Sequence, residues 1–273
     1  MFEFIQKHNH ELQFAATFGG ILLLLLIEPL FPRRVGAKDQ SSRWINNIGL
    51  ALLNFYLLAY FGILYASSSL AGMLQPETPL FDYLGLPLAV SIIVTVFAFE
   101  FMGYWVHRAL HRIPLLWRIH AVHHNDTEFD VTTSHRHHPF EGMIFTVLAF
   151  PLMLWLGVPV VAAITYNALR LFISLLTHAN IQIPQPADSL LRKFVVTPDF
   201  HRMHHSSDQQ YTDSNYGVIT PWFDYLFGTA TRLPYQEIPA MELGLHYLRK
   251  PEESRIDKLL ILPFVWKKAT GKT

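Results

Sequence analysis

The chain has 273 residues, of which 51% are hydrophobic and 15% are charged, and its 21 basic side chains balance 21 acidic ones. Soluble domains carry about a quarter charged residues, so this chain is short of surface that water solvates well. Zero net charge argues against a general nucleic-acid binder, which needs a concentrated basic face. Because there is no cysteine, a disulfide framework, a zinc–thiolate site and an iron–sulfur cluster are excluded.

Long apolar runs predict helices that cross a membrane. Residues 14–31, 45–66 and 83–106 are each long enough to span a hydrocarbon core of about 30 Å at about 1.5 Å per residue. Residues 142–178 are also apolar but are broken near residues 157–159, which predicts a helical hairpin. The first run lacks the cleavage site of a signal peptide, so we expect it to be retained. The predicted fold is an all-α polytopic membrane bundle of about three spans plus a hairpin.

The basic residues predict the orientation of this bundle. Residues 32–44 carry four Lys or Arg side chains, whereas residues 67–87 carry none. Because Lys and Arg accumulate on the cytoplasmic side, the first loop is expected inside and the second outside. Residues 107–141 and 179–273 then form a cytoplasmic helical cap. We therefore expect an integral protein of a bacterial inner membrane or the endoplasmic reticulum. Arg170 lies within the hairpin, where a charge is costly unless it reaches the interface or a partner.

Twelve of the 15 histidines lie between residues 107 and 205. Many of them are three or four residues apart, a spacing that places side chains on one face of a helix. Neutral imidazole binds iron, zinc, copper and nickel, so each group forms part of a coordination shell. The candidate metal ligands in these groups are His107 and His111, then His120, His123 and His124, and finally His201, His204 and His205.

Eight imidazoles exceed the ligands of one metal ion, so the groups predict two ions. Two further histidines are candidate ligands: His138, which follows the second group, and His178, which ends the hairpin. We assign His135 and His137 to supporting or surface positions. The histidines that stand outside every group are His8, His10 and His246.

These groups resemble the histidine boxes of the fatty acid hydroxylase/sterol desaturase superfamily. The three boxes read HRALH, HAVHH and HRMHH and occur in that order. The segment RHHPFE at 136–141 is similar to the family's R-x-H-P-x-E motif, and THAN at 177–180 is similar to its lone histidine after the hairpin. DSNYG at 213–217 and WFDYLFGT at 222–229 resemble its closing signature. The resemblance covers about residues 95–235.

The resemblance implies a division of the chain into transmembrane helices at 1–94, a catalytic region at 95–235 and a cytoplasmic or interfacial tail at 236–273. It also implies a non-haem di-iron centre, with two iron ions, that uses O₂ to hydroxylate or desaturate a C–H bond of a lipid such as a sterol or fatty acyl chain. The metal centre is then the catalyst, and no side chain is assigned a catalytic role. The tail contains LLILPFVW at 259–266, which is too short to span and fits an interfacial anchor.

The electrons must come from a separate donor, such as a ferredoxin or a cytochrome-b5-like protein, because the chain has neither cysteine nor a glycine-rich dinucleotide turn. Basic residues among the boxes could dock an acidic donor. We favour the simpler interpretation that they are the usual basic residues of a cytoplasmic face. They are Arg108, Arg112, Arg118, Arg192, Lys193 and Arg202.

One departure from the family concerns the second ion. Some fatty acid hydroxylases have a further histidine four residues before the lone one, where this chain has Ser174. His138 could supply the missing ligand, or the second ion could be less saturated. Carboxylates near the boxes could orient ligands by accepting their far N–H. These are Glu141, Asp199 and Asp208, with Asn215, Tyr216 and Asp224 in supporting positions.

Two other function classes are compatible with clustered histidines. A zinc-dependent membrane hydrolase would need a general-base carboxylate within its metal motif, as in HExxH, and no box contains one. A metal transporter or storage protein would place ligands near the bilayer midplane, whereas these histidines flank the spans on one side. The sequence therefore favours a membrane oxygenase.

Overall fold

The computed structural model describes residues 7–36, 40–67 and 73–270, and these residues form helices and loops without a β-strand. Parts of the two predicted loops, residues 37–39 and 68–72, lie outside the described residues. The α-helices are α1 (Asn9–Ile27), α2 (Ser41–Ala66), α3 (Leu80–Tyr83), α4 (Leu88–Arg112), α5 (Pro114–His124), α6 (Pro139–Leu156), α7 (Val160–His178), α8 (Gln185–Leu191), α9 (Pro198–His204), α10 (Gln209–Thr212), α11 (Trp222–Phe227) and α12 (Ile256–Thr270).

Five of these helices are long and apolar enough to cross a membrane, which confirms the predicted three spans plus hairpin. The spanning segments are Asn9–Leu30, Ser41–Ala66, Leu88–Arg112, Pro139–Leu156 and Val160–His178. Their surfaces carry large apolar side chains that other helices leave uncovered, such as Leu26 at 65% exposure and Phe172 at 64%. Contiguous apolar surface of this kind fits contact with lipid rather than with water.

The third span differs in position from the sequence prediction. The run was expected at residues 83–106, but α4 begins after Pro87 and continues to Arg112. Its start is delayed because the chain turns at Gly85, which has a φ of 58°. Its end is set by Pro114, which disfavours a helical conformation at the preceding Ile113. The continuation carries the first histidine box on the last two turns of a spanning helix.

The hairpin turn depends on Gly157. This residue caps α6 with a φ of 69° and a ψ of 47°, in the left-handed region that favours glycine. A Cβ at this position would also lie 2.5 Å from the Cβ of Pro79. Pro159 then precedes the first turn of α7 in an extended conformation. The predicted break near residues 157–159 therefore returns α7 toward the histidine-rich end of the bundle.

A cap of shorter helices covers this end of the spans. Helix α5 packs against α4, and α9 packs against α7. The C-terminal α12 packs on α5, where Leu259, Leu262 and Trp266 are buried with Ala121 and Val122. As expected for the tail, α12 is not among the spanning helices of the described chain.

A buried polar network fixes the second histidine box to the rest of the cap. Arg136 is fully buried, and its guanidinium donates hydrogen bonds to the Val122 carbonyl at 3.0 Å and to the side-chain oxygens of Asn47 and Asn125, both at 2.5 Å. Burial alone would raise the pKa of the neighbouring Asp126, but Arg43 and Arg136 together with hydrogen bonds outweigh it, so this pKa is lowered. The network therefore joins the second histidine box, through Val122 and the adjoining Asn125, to Arg136 and α2.

Candidate metal centre

Each histidine box is presented by a helix at the same end of the bundle. His107 and His111 lie on the last two turns of α4, and His178 is the last residue of α7. The second box lies at the end of α5, and the third begins on α9 and ends on the residue that follows it. All three boxes are thus carried by helices, and the two histidines of each pair spaced by four residues lie on the same helix face.

The structure brings nine of the ten candidate ligands into two groups. The five-histidine group consists of His107, His111, His120, His124 and His204, and the four-histidine group consists of His123, His178, His201 and His205. Within each group, one ring nitrogen from every residue lies within 4.8 Å of all the others. Every member is buried.

The two groups adjoin because each HxxHH box contributes to both. Consecutive residues on a helix point about 100° apart, so neighbouring histidines cannot face the same point. His123 and His124 therefore enter different groups, as do His204 and His205. The rings of His124 and His205 stack across the boundary with their centres 4.5 Å apart.

The ring nitrogens are spaced as ligands of a shared ion would be. In the five-histidine group, Nε2 of His107 lies 3.1 Å from that of His120 and 3.0 Å from that of His204. In the four-histidine group, Nε2 of His178 lies 3.3 Å from that of His123 and 3.1 Å from that of His201. Nitrogen ligands about 2.1 Å from one ion and at right angles lie about 3.0 Å apart, so both groups fit a metal ion.

Four of these histidines are oriented through their other ring nitrogen. Nδ1 of His107 donates to the Tyr216 carbonyl at 2.8 Å, and Nδ1 of His204 donates to the Ser214 carbonyl at 2.6 Å. Nδ1 of His178 donates to the Ser174 carbonyl at 2.8 Å, one turn earlier on α7. A proton held at Nδ1 leaves the Nε2 lone pair free to bind a metal.

The fourth oriented histidine is His120, whose Nδ1 donates to Glu141 at 2.9 Å. Glu141 is thus the predicted carboxylate that fixes a candidate ligand. Its second oxygen lies 3.0 Å from Nδ1 of His137, whose ring stacks on His123 at 4.2 Å. The sequence predicts a supporting or surface position for His137, but not its contacts with Glu141 and His123. Its spacing of four residues from Glu141 is the signal that indicates the pair.

The closing signature supports the site through its backbone. Asn215 has a φ of 56°, and its side chain donates to the Phe200 carbonyl at 2.9 Å. Asp224 accepts from the backbone N–H groups of Tyr216 at 2.8 Å and Gly217 at 2.7 Å. These contacts hold the Ser214 and Tyr216 carbonyls where His204 and His107 need them. The supporting positions expected for Asn215, Tyr216 and Asp224 match this geometry.

His138 is the candidate ligand that the structure does not bring to either group. It caps the start of α6, where its Nδ1 accepts from the Phe140 N–H at 3.2 Å. Its Nε2 donates to the Leu260 carbonyl of α12 at 3.1 Å. With both ring nitrogens engaged in this way, His138 joins the C-terminal helix to the hairpin and faces away from the metal groups.

Two of the three carboxylates that were candidates for orienting a histidine bind other partners instead. Asp199 forms a buried ion pair with Arg33 at 2.8 Å, and Asp208 caps α10 by accepting from the Gln210 N–H at 3.0 Å. Neither therefore orients a histidine. Arg202, named among residues that could dock an electron donor, is only 1% exposed. It cannot present a charge to a partner surface.

Burial keeps five histidines of the cap neutral. Loss of solvent, followed by repulsion between neighbouring imidazoles, lowers their pKa values well below the ordinary range of histidine. Neutral imidazole is the form that binds a metal. Several Nδ1 atoms of these rings have no hydrogen-bond partner within the described chain, and the free-energy cost of these unpaired buried atoms would be offset by metal binding at the other ring nitrogen. The residues with these lowered pKa values are His123, His124, His201, His204 and His205.

The different positions of His178 and His138 predict different effects of replacing each by alanine. His178→Ala removes a member of the four-histidine group, so bound metal should fall together with the lipid oxidation that the family resemblance implies. The loss of activity should exceed the roughly 10- to 100-fold loss that is typical when a residue that only supports a ligand is replaced. His138→Ala removes a cap outside both groups and should retain the iron content of the parent protein.

Metal analysis of the two purified variants checks this prediction, with the parent protein prepared alongside them. Full iron content in His178→Ala would show that this histidine only ends its helix. Loss of iron from His138→Ala alone would place His138 in the shell after all.

Comparisons with known proteins agree with this geometry. A family model described as fatty acid hydroxylase matches residues 92–229, half of the chain, which confirms the resemblance seen in the boxes. Ornithine lipid hydroxylase OlsE of Rhizobium tropici is 29% identical over 229 residues, which cover 81% of this chain and 67% of OlsE. No solved structure matches the chain.

Plant proteins with a different described activity are also similar. Very-long-chain aldehyde decarbonylase GL1-6 of Oryza sativa subsp. indica is 29% identical over 204 residues, which cover 71% of this chain and 29% of GL1-6. Very-long-chain aldehyde decarbonylase CER1 of Arabidopsis thaliana is 32% identical over 139 residues, which cover 48% of this chain and 21% of CER1. The chain therefore spans less than a third of the length of these two decarbonylases.

Proposed function

Because the chain belongs to the fatty acid hydroxylase family, we propose that it is a membrane-bound di-iron oxidoreductase that hydroxylates or desaturates a C–H bond of a lipid. The reaction uses O₂ and electrons from a separate donor, such as a ferredoxin or a cytochrome-b5-like protein. The observation that carries the proposal is the convergence of nine buried histidines into two adjoining groups. The described lipid hydroxylase activity of OlsE, whose similarity covers 81% of this chain, supports the same reaction class.

The proposed ligands of one iron are the five-histidine group, and those of the other are the four-histidine group. A bound di-iron pair would supply the O₂ activation and hydrogen abstraction that acid–base side chains cannot provide. The side chains of this chain hold the metal and orient its ligands. Glu141 fixes the tautomer of His120, and the carbonyls of Ser214 and Tyr216 do the same for His204 and His107.

The arrangement favours this function over the two alternatives. A zinc hydrolase would need a carboxylate placed as a general base toward a metal-bound water, whereas Glu141 accepts a hydrogen bond from a candidate ligand. A transporter would carry its ligands near the middle of the spans, whereas His111 and His178 lie at helix ends. Both alternatives therefore lack a supporting contact in the described residues.

The proposed function is tested by metal and lipid analysis together. Purified protein should contain about two irons per chain, because two histidine groups each fit one ion. Cells that express the chain should contain a lipid that has gained one oxygen atom or lost two hydrogen atoms relative to cells without it. One zinc per chain and no oxidised lipid would support the hydrolase instead.

We also propose that the metal centre faces the cytoplasm, as the distribution of basic residues predicts. Because the chain has no native cysteine, single cysteines can be labelled without background. For a bacterial inner membrane, a membrane-impermeant maleimide added to spheroplasts should label Gln75→Cys but not Ser42→Cys or Gln210→Cys. The last two should react after the membrane is permeabilised. Labelling of Gln210→Cys from outside would move the site across the membrane.

A further inference from the structure

Arg170 places a positive charge inside a spanning helix. It lies on α7, eight residues before the end of the span at His178. Its guanidinium carbon is 5.7 Å from the centre of the Phe145 ring, and within the described residues it forms no hydrogen bond or ion pair. An arginine at this depth is costly unless it has a partner, so an unpaired one indicates a function.

The position of Arg170 on α7 directs it to the metal end of the hairpin. Arg170, Ser174 and His178 are spaced by four residues and therefore share one face of the helix. Eight residues at about 1.5 Å each separate Arg170 from His178 by about 12 Å along the axis. A ligand of ordinary lipid size can therefore contact both the arginine and the metal centre.

A cavity joins Arg170 to the candidate ligands. It has a volume of about 60 Å³, and its lining includes Phe145, Arg170, Ser174 and Thr177 beside histidines from both groups. Histidine, hydroxyl and guanidinium groups make this end of the hairpin polar. The charge of Arg170 thus lies on the wall of the space where a substrate would meet the metal.

A second cavity continues along the same hairpin, away from the metal groups. It has a volume of about 190 Å³ and is lined mainly by apolar side chains of α4, α6 and α7, among them Phe99, Phe150 and Met153. Thr146 and Asn167 line this cavity, next in the chain to Phe145 and three residues before Arg170. Arg170 and Phe145 therefore lie between a polar cavity and an apolar one.

Glu100, the buried carboxylate of α4, attracts Arg170 electrostatically but is held by other groups. Glu100 accepts hydrogen bonds from the backbone N–H groups of Ile219 at 2.8 Å and Thr220 at 3.2 Å. These two donors hold the carboxylate against the loop that follows the closing signature. Arg170 forms no ion pair with it, so the guanidinium remains available to an anion from outside the chain.

We propose that Arg170 binds an anionic group of the lipid, a carboxylate or a phosphate, so that part of its alkyl chain reaches the metal groups through the cavity that Arg170 and the histidines line. This inference rests on the proposed function, since it names the substrate class of the same site. A guanidinium binds carboxylate or phosphate through two parallel N–H···O hydrogen bonds. A neutral lipid would leave Arg170 without an anionic partner, so the site selects acidic lipids over neutral ones of equal chain length.

The test compares lipids that share one alkyl chain and differ at the polar end. A fatty acid supplies a carboxylate, an alkyl phosphate supplies a phosphate, and a fatty alcohol is neutral. Lipid retained by the purified iron-loaded protein is measured by native mass spectrometry, and KM is measured for each lipid that is oxidised. The protein should prefer at least one acidic lipid to the alcohol by at least about tenfold, as expected for hydrogen bonds to a charged group. The better acid identifies the anionic group.

Arg170→Gln should lose this preference, both in retention and in KM, while its iron content stays at the parent level. Arg170→Lys keeps the charge without the planar fork and should recover part of the preference. Arg255→Gln is the matched control, because Arg255 pairs with Asp257 on the exposed tail, far from both cavities.

Two outcomes overturn the inference: equal retention of acidic and neutral lipids by the parent protein, or a parent-like preference in Arg170→Gln. Failure of the proposed function gives a different result. In that case no lipid is oxidised, but an acidic lipid retained by the parent protein and lost from Arg170→Gln would still support the anion site.

Discussion

Replacement of His204 by alanine is expected to abolish lipid oxidation and to remove about one iron per chain, since the five-histidine group is proposed to hold one of two ions. His204 is fully buried, and its Nε2 lies 3.0 Å from that of His107. The variant also leaves the Ser214 carbonyl without its donor. Because α9 packs at the end of the spans, the membrane bundle itself should still form.

Three measurements check this expectation: iron per chain, lipid oxidation and the membrane-inserted fraction. His246→Ala is the control, because His246 is exposed and belongs to neither group. Its iron content and activity should match those of the parent protein. A His204→Ala protein with full iron content and normal turnover would contradict the five-histidine assignment.

Replacement of Arg136 by methionine is expected to destabilise the cap by about 3–5 kcal/mol, the usual cost of removing one partner from a buried charge network. The methionine would fill much of the space but would leave the Val122 carbonyl and two asparagine oxygens without their donor. It would also remove one of the cations beside Asp126. Val122 belongs to the second histidine box and Asn125 follows it directly, so metal retention should decline as well.

The midpoint of thermal unfolding in detergent, measured on metal-free samples, separates this effect from metal binding. Arg136→Lys should recover little of the loss, because an ammonium group cannot reach three acceptors as the guanidinium fork does. Arg255→Met removes an exposed arginine by the same substitution and should shift the midpoint little. An unchanged midpoint in Arg136→Met would show that the network contributes specificity rather than stability.

The helices and most candidate ligands could be predicted because their signals are local. Apolar run length gives the spans, and the spacing of the boxes places imidazoles on one helix face. The same reasoning did not apply to His138, which lies in an extended conformation before α6 rather than within a helix. Its partner, the Leu260 carbonyl, is 122 positions away along the chain, and no spacing rule reports such a contact.

Asp199 illustrates the same limit among the charged residues. It lies two positions before His201, which suggests support for a ligand, but it pairs with Arg33, 166 positions earlier. Glu141 does orient a candidate ligand, as the sequence suggests, because His120 and His137 both approach it and lie within 21 positions of it along the chain. Pairing between distant segments depends on how the spans assemble, which the order of residue types does not encode.

The contacts of the five-histidine group join residues that are far apart along the chain, and this separation has a consequence for biosynthesis. His107 leaves the ribosome 97 residues before His204, whose Nε2 it contacts, and 109 residues before Tyr216, whose carbonyl orients it. The hairpin α6–α7 is synthesised between them and must enter the bilayer first. Loading of the proposed irons would therefore be a late event, which follows membrane integration and waits for the last histidines at residues 201–205 and for the orienting carbonyls of Ser214 and Tyr216. A chain that stalls before residue 201 would be an integrated protein with six of the nine grouped histidines.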